Sequence, residues 1–191
     1  VLPATDEFDL RVLLETVVNK EVTVINGAPS VLSPLLVFEP ERLAKLRLVL
    51  FGGERIDLGR LRPWIEQPNC NAELVNMYGP TECADIATTY RMTTEQAREN
   101  LQSEMELPIG TPIANVSVYV LNRYQKPVPV GEEGEIYISG AGVGMGYLNR
   151  DDLTSAAYLE NPFGEGRLYR TGDRGCWRQD GNLVHLGRVD F

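Results

Sequence analysis

Tyr78-Gly79-Pro80-Thr81-Glu82 places an aromatic ring, a hydroxyl and a carboxylate within five residues. The ring offers a stacking face, the hydroxyl a donor to a phosphate oxygen, and the carboxylate a hard oxygen ligand for Mg²⁺. Those are parts that a nucleotide site needs. Two further glycine-bearing turns follow apolar runs: Asn26-Gly27 after Val22-Thr23-Val24-Ile25, and Gly52-Gly53-Glu54 after Arg47-Leu48-Val49-Leu50-Phe51. Glycine lets a backbone approach a ligand closely, although Gly52-Gly53 reads equally as a plain strand-to-helix turn.

The elements that must position these residues have two rhythms. Leu10, Leu13, Leu14, Val17 and Val18 recur at helical spacing. The two apolar runs above and Glu73-Leu74-Val75-Asn76-Met77 read as buried strands, with helical stretches over Val31 to Lys45 and Leu58 to Gln67 between them. Strands alternating with helices imply right-handed crossovers and a parallel sheet, which binds ligands beyond the carboxyl ends of its strands. Thr93-Thr94-Glu95-Gln96 resembles a capping box. Beyond it come short runs at Val116 to Leu121, Glu135 to Ser139, Gly166 to Arg170 and Asn182 to Leu186, separated by turn-rich segments. The Asp180-Gly181 pair signals a hairpin. The predicted fold is α/β: a parallel, flavodoxin-like subdomain over residues 1–105, then a small antiparallel barrel-like subdomain over 106–191.

Composition narrows the function classes. A formal charge of −9, with only three lysines, argues against nucleic acid or acidic lipid as the main partner. No apolar run is long enough to span a membrane, and Val1-Leu2-Pro3 opens no signal peptide. Cys70, Cys83 and Cys176 are widely spaced and form no C-x-x-C pair, which favours reduced thiols and a cytoplasmic setting. The single histidine, His185, reads as structural and leaves no His-rich metal cluster.

Asn76-Met77-Tyr78-Gly79-Pro80-Thr81-Glu82 resembles the N-x-Y-G-P-T-E motif of nonribosomal peptide synthetase adenylation domains. Gly134-Glu135-Ile136-Tyr137-Ile138-Ser139-Gly140-Ala141-Gly142-Val143-Gly144-Met145-Gly146-Tyr147 is similar to that family's G-E-L-x-I-x-G-x-G-x-A-R-G-Y segment. Leu153-Thr154, Asn161-Pro162-Phe163, Tyr169-Arg170-Thr171-Gly172-Asp173 and Gly187-Arg188-Val189-Asp190 resemble its later motifs, in the same order.

The resemblance implies that an amino acid carboxylate attacks the α-phosphate of ATP, giving an aminoacyl-AMP and pyrophosphate. The acyl group then passes to the phosphopantetheine thiol of a peptidyl carrier protein within a larger synthetase. By the same resemblance, Asn76 and Tyr78 hold the adenine, with Gly53 and Gly79 among the nucleotide-binding positions. Thr81 meets the α-phosphate, Glu82 helps to hold Mg²⁺, Asp173 binds the ribose hydroxyls, and Arg188 reaches the ribose and phosphate. Asp190 is the implied hinge to a C-terminal lobe. Asn26, Leu50, Gly52, Met77, Asp85 and Ile86 would line the amino acid pocket, although Leu50, Met77 and Ile86 read equally as core.

Some positions depart from the pattern: Met145 stands where the family has Arg, Asp151 where Pro is common, and His185 where many relatives carry Tyr, so that packing or a polar contact near the ribose falls to it. No Ser/Thr/Gly-rich phosphate loop with its lysine is found, and the Gly140 to Gly146 run fits neither a Walker A loop nor G-x-G-x-x-G. The chain is therefore expected to be the latter part of a large N-terminal lobe, inactive by itself and with an exposed sheet edge. A fragment of an acyl- or aryl-CoA ligase is the alternative, disfavoured by Asn76 and Pro80; a non-catalytic module of the same fold is another.

Overall fold

The structure, a computed structural model, describes residues 9–102 and 106–189. They form two compact units between which the chain passes more than once. The chain up to Asn76, with the stretch from Arg91, makes one; Met77–Tyr90 and the chain from Glu106 make the other.

In the first unit, α1 (Leu10–Asn19) starts at Asp9, whose carboxylate accepts from the Arg11 N–H at 2.8 Å. Its apolar stripe buries Leu14 and Val17. Next, β1 (Val24–Gly27) pairs in parallel with β2 (Leu48–Gly52), with Asn26 opposite Leu50. Between them, α2 (Pro29–Phe38) opens on a proline, whose missing N–H costs nothing in a first turn. The helix expected to run from Val31 to Lys45 is interrupted. Pro40 disfavours helical geometry at Glu39, which is non-helical (φ −141°, ψ 73°), and the chain resumes as a 3-10 turn over Pro40–Leu43. Then α3 (Leu58–Ile65) is capped by Asp57 and leads to β3 (Glu73–Tyr78). The strand order is β1-β2-β3, continued by β4 (Thr88–Met92). Finally, α4 (Thr94–Asn100) carries the expected capping box, Thr93 and Gln96 each bonding the other's backbone N–H. Val49, Phe51, Leu36, Leu61, Trp64 and Leu74 are fully buried and form the core. The expectation that the first strand is buried is corrected: β1 ends the strand order, and Val24 is 49% exposed. Among the described residues, β1 therefore has one strand neighbour and one unpaired side.

In the second unit the start of β4 pairs antiparallel with β5 (Thr111–Pro112). The larger sheet uses β6 (Val116–Leu121), β7 (Gly134–Gly140), β9 (Arg167–Trp177) and β10 (Leu183–Arg188), after α5 (Asp151–Ala157) and β8 (Tyr158–Glu160). The antiparallel order is β10-β9-β7-β6, with β8 also on β9. Register shifts between β7 and β9 and between β9 and β10 curl the sheet. The hairpin turn stands where expected: Gly181 has φ +82°, and the Asn182 N–H donates to Asp180 Oδ1 at 2.9 Å. Ile136, Ile138, Val120 and Leu183 form the core, and Cys83 and Ala87 from the segment after β3 are buried among them. That burial is what ties Met77–Tyr90 to this unit. A parallel α/β part followed by a curled antiparallel sheet is the fold class the sequence predicts.

Candidate functional site

The turn after β3 is built from local chemistry. At Gly79 a Cβ would lie 2.6 Å from the Ala87 nitrogen and 2.8 Å from the Asp85 carbonyl, so only glycine fits. Thr81–Cys83 then forms a 3-10 turn, ended by Ala84 and Asp85 in left-handed conformation (φ 57° and 73°). The turn leaves Thr81 exposed, Glu82 half-buried and Cys83 buried. Burial pushes the Cys83 thiol up to about 12, so it stays protonated.

Tyr78, at the head of this turn, donates its hydroxyl to Asp173 Oδ2 at 2.6 Å. The other oxygen, Oδ1, lies 3.4 Å from Arg188 Nη1 and 3.4 Å from His185 Nε2. Arg188 Nη1 also donates to the Thr171 carbonyl at 2.9 Å, which fixes the guanidinium beside the carboxylate. A left-handed Gly172 (φ +72°) makes room, because a Cβ there would meet that guanidinium at 2.9 Å. Burial opposes the charge on Asp173. Hydrogen bonds from His185 and Tyr78, and the charge of Arg188, outweigh it and hold the carboxyl below its ordinary range. Burial, then the neighbouring carboxylate, pushes the Tyr78 phenol well up, so it remains a donor. The result is a fixed anion with a phenol and a guanidinium around it. A carboxylate offers about four acceptor sites, so with Tyr78, Arg188 and His185 against it Asp173 keeps room for about one ligand hydroxyl.

Glu82 has a separate set of partners. Tyr147 donates to Glu82 Oε1 at 2.6 Å, and the Tyr169 hydroxyl lies 3.4 Å from that of Tyr147. Burial works against its charge, but the bond from Tyr147 and further donors hold the carboxyl below its usual range. Glu82 is therefore ionised at neutral pH.

The structure thus brings Tyr78, Asp173 and Arg188 together, with Gly79, Thr81 and Glu82 on the turn that Tyr78 begins. Asp85 is exposed and Ile86 half-buried beside that turn, and Met77 is buried in β3. In the first unit, Asn26 and Leu50 are register partners on β1 and β2, and Gly52 lies two residues further along the same face as Leu50. Gly53, after β2, is left-handed (φ +80°) and exposed. Asn76 is buried in β3. Asp190 lies outside the described residues.

Sequence reasoning did not assign Tyr147 or Tyr169 to the site, and gave His185 only packing or a polar contact near the ribose, in place of the family's Tyr. The first two stand in the glycine-rich and Y-x-T-G-D segments, but nothing in their spacing shows that they converge on Glu82. His185 reads as structural in a strand, yet its Nε2 faces Asp173, and its ring lies 5.7 Å from that of Tyr78. Among the described residues, no group of three or more His, Cys, Asp or Glu could hold a metal ion, and no helix is long and apolar enough to cross a membrane.

Residues 1–148 match the family model of AMP-binding enzymes. Gramicidin S synthase 2 of Brevibacillus brevis is 38% identical over 193 residues, an alignment covering 100% of this chain and 4% of that protein. Among solved structures, an artificially fused adenylation–PCP di-domain nonribosomal synthetase from Klebsiella oxytoca superposes with TM-score 0.82 at 30% identity, over 97% of this chain and 36% of that one. The nonribosomal peptide synthetase FmoA3, bound to α-methyl-L-serine-AMP, gives TM-score 0.86 at 31% identity, over 99% of this chain and 21% of that one. The chain therefore spans a small share of the curated relative it matches throughout.

Proposed function

This chain belongs to the AMP-binding enzyme family, and from that premise we propose that it forms part of an adenylation domain of a nonribosomal peptide synthetase. In that reading an amino acid and ATP give an aminoacyl-AMP and pyrophosphate, and the acyl group passes to the phosphopantetheine thiol of a carrier protein. Similarity to synthetases and to an adenylation–PCP structure supports the reading, and it disfavours a CoA ligase. Work in the cytoplasm beside neighbouring synthetase domains follows from the same reading.

The observation that carries the site is the 2.6 Å bond from Tyr78 to Asp173, with Arg188 beside it. We assign Asp173 to the ribose diol, Tyr78 and Asn76 to the adenine, and Thr81 and Arg188 to the phosphate. Gly53 and Gly79 let the backbone approach the nucleotide. These groups position the reactants and offset charge, which is what displacement at phosphorus needs. Mg²⁺ fits Glu82 as a single ionised carboxylate, because Mg²⁺ bound to nucleotide takes one or two protein carboxylates and fills its shell with phosphate oxygens and water. The ion offsets phosphate charge. Asn26, Leu50, Gly52, Met77, Asp85 and Ile86 are assigned to the amino acid pocket, and Asp190 to the hinge.

The test is amino-acid-dependent ATP–pyrophosphate exchange by the longer protein that contains this segment. Exchange with one or a few amino acids is expected. Asp173→Asn is expected to cut it by about ten- to a hundredfold, the cost of losing hydrogen bonds to a charged group. Exchange driven only by fatty or aryl acids would refute the amino acid assignment.

A further inference from the structure

The glycine-rich run Gly140 to Gly146 matches no phosphate-binding pattern, yet it packs against the turn that carries Glu82. The Gly144 N–H donates to the Glu82 carbonyl at 2.8 Å. A Cβ on Gly144 would lie 3.2 Å from that same carbonyl oxygen, and one on Gly142 would lie 2.8 Å from the Cys83 carbonyl oxygen. Side chains at these two positions would wedge the segments apart, so the alternating glycines let two backbones touch. The run ends at Tyr147, whose hydroxyl donates to Glu82 Oε1 at 2.6 Å.

Tyr147 is itself fixed from behind. Its N–H donates to Thr154 Oγ1 at 2.9 Å, and that hydroxyl lies 3.4 Å from the Tyr147 carbonyl. Its ring meets Tyr158 edge-on, with centroids 5.6 Å apart. Gly146 has φ +133°, and a Cβ there would lie 2.5 Å from Thr154 Cγ2, so the chain turns into this anchor only as glycine. Glu82 is thus gripped twice by one segment, at its backbone and at one carboxylate oxygen.

We propose that the glycine run and Tyr147 form a bracket that positions Glu82, with Tyr147 as a positioning residue that orients the carboxylate toward a divalent cation. This rests on the reading of Glu82 as a Mg²⁺ ligand. A hydrogen bond to Oε1 fixes the plane and direction of the carboxylate, the way an outer partner orients a metal-bound carboxylate. Losing such a partner typically lowers metal affinity by about ten- to a hundredfold.

The experiment uses the longer protein with a non-hydrolysable ATP analogue and Mn²⁺, followed by electron paramagnetic resonance. Wild-type protein is expected to show a nucleotide-dependent Mn²⁺ site that Glu82→Gln abolishes. Tyr147→Phe keeps the ring in place and is expected to weaken that site roughly tenfold or more. It should also raise the Mg²⁺ concentration needed for half-maximal exchange, with the rate at saturating Mg²⁺ largely restored. Tyr137→Phe removes a phenol bonded to Glu135 on β7 of the same unit, and should leave Mn²⁺ binding alone. A Glu82-dependent site untouched by Tyr147→Phe would overturn the bracket while leaving the role of Glu82 standing. A wild-type site that ignores Glu82→Gln would overturn both.

Discussion

Removing one oxygen atom, in Tyr78→Phe, tests whether Asp173 is held as an anion by its neighbours. The bond lost is 2.6 Å long and ends on the Asp173 carboxylate, whose side chain is 12% exposed. Such a bond is charge-assisted and little screened, worth about 1.5–3 kcal/mol. Phenylalanine keeps the ring packed on the core, so the expected loss at neutral pH is about 2 kcal/mol. Its pH dependence has a definite sign. The Asp173 carboxyl is depressed in the folded chain, so its contribution is complete above the unfolded value and lost as pH falls through the folded one. The variant, with one donor fewer, has a less depressed carboxyl. The gap between the two proteins should therefore be steady from neutral pH down and narrow below about pH 4. Urea unfolding followed by Trp177, in a Trp64→Phe background, reads the second unit alone, because Trp177 packs on its core and Trp64 is buried in the other. With a usual denaturant slope the midpoint shifts by roughly 1 M. Equal midpoints at neutral pH, or a gap that does not change on acidification, would refute the reasoning.

Two further outcomes are expected of the same chain. Gly110→Ala should lower stability by more than about 3 kcal/mol, or block folding, because the left-handed backbone (φ +84°) puts a Cβ 1.9 Å from the Thr89 carbonyl oxygen. Thermal melts against a neutral surface variant such as Gln179→Ala would decide it, and equal melting temperatures would refute the close approach. Cys70 and Cys83 are buried and their thiols raised by desolvation, whereas Cys176 is half-buried. A thiol reagent near neutral pH should therefore modify Cys176 in the native chain and reach the other two only on denaturation, as peptide mass mapping would show.

Much of the fold was legible because local chemistry and tertiary placement agree. The run Val116 to Leu121 has the bounds of β6, and Thr93 with Gln96 caps α4. The reading failed where a single residue overrode a pattern, as Pro40 did in the expected helix from Val31 to Lys45. It also failed where no apolar pattern existed. The helix α5 buries no residue, and Thr88-Thr89-Tyr90-Arg91-Met92 gave no apolar run to mark β4. At the site, composition singled out the turn from Tyr78 to Glu82 as a candidate. That Tyr78 meets Asp173 and Glu82 meets Tyr147 is a matter of long-range pairing, across 95 and 65 residues, which no local period encodes.

Because Met77–Tyr90 belongs with the later sheet, the second unit is split in the chain and cannot mature in the order in which it is made. At ordinary synthesis rates of about 5–20 residues per second, Tyr78 waits roughly 5–20 seconds on a ribosome for Asp173 to appear. Until then Cys83 and Ala87 have no β10 to bury them. Any stall or premature stop between these points leaves an unfinished apolar surface, the kind of exposed patch that chaperones bind.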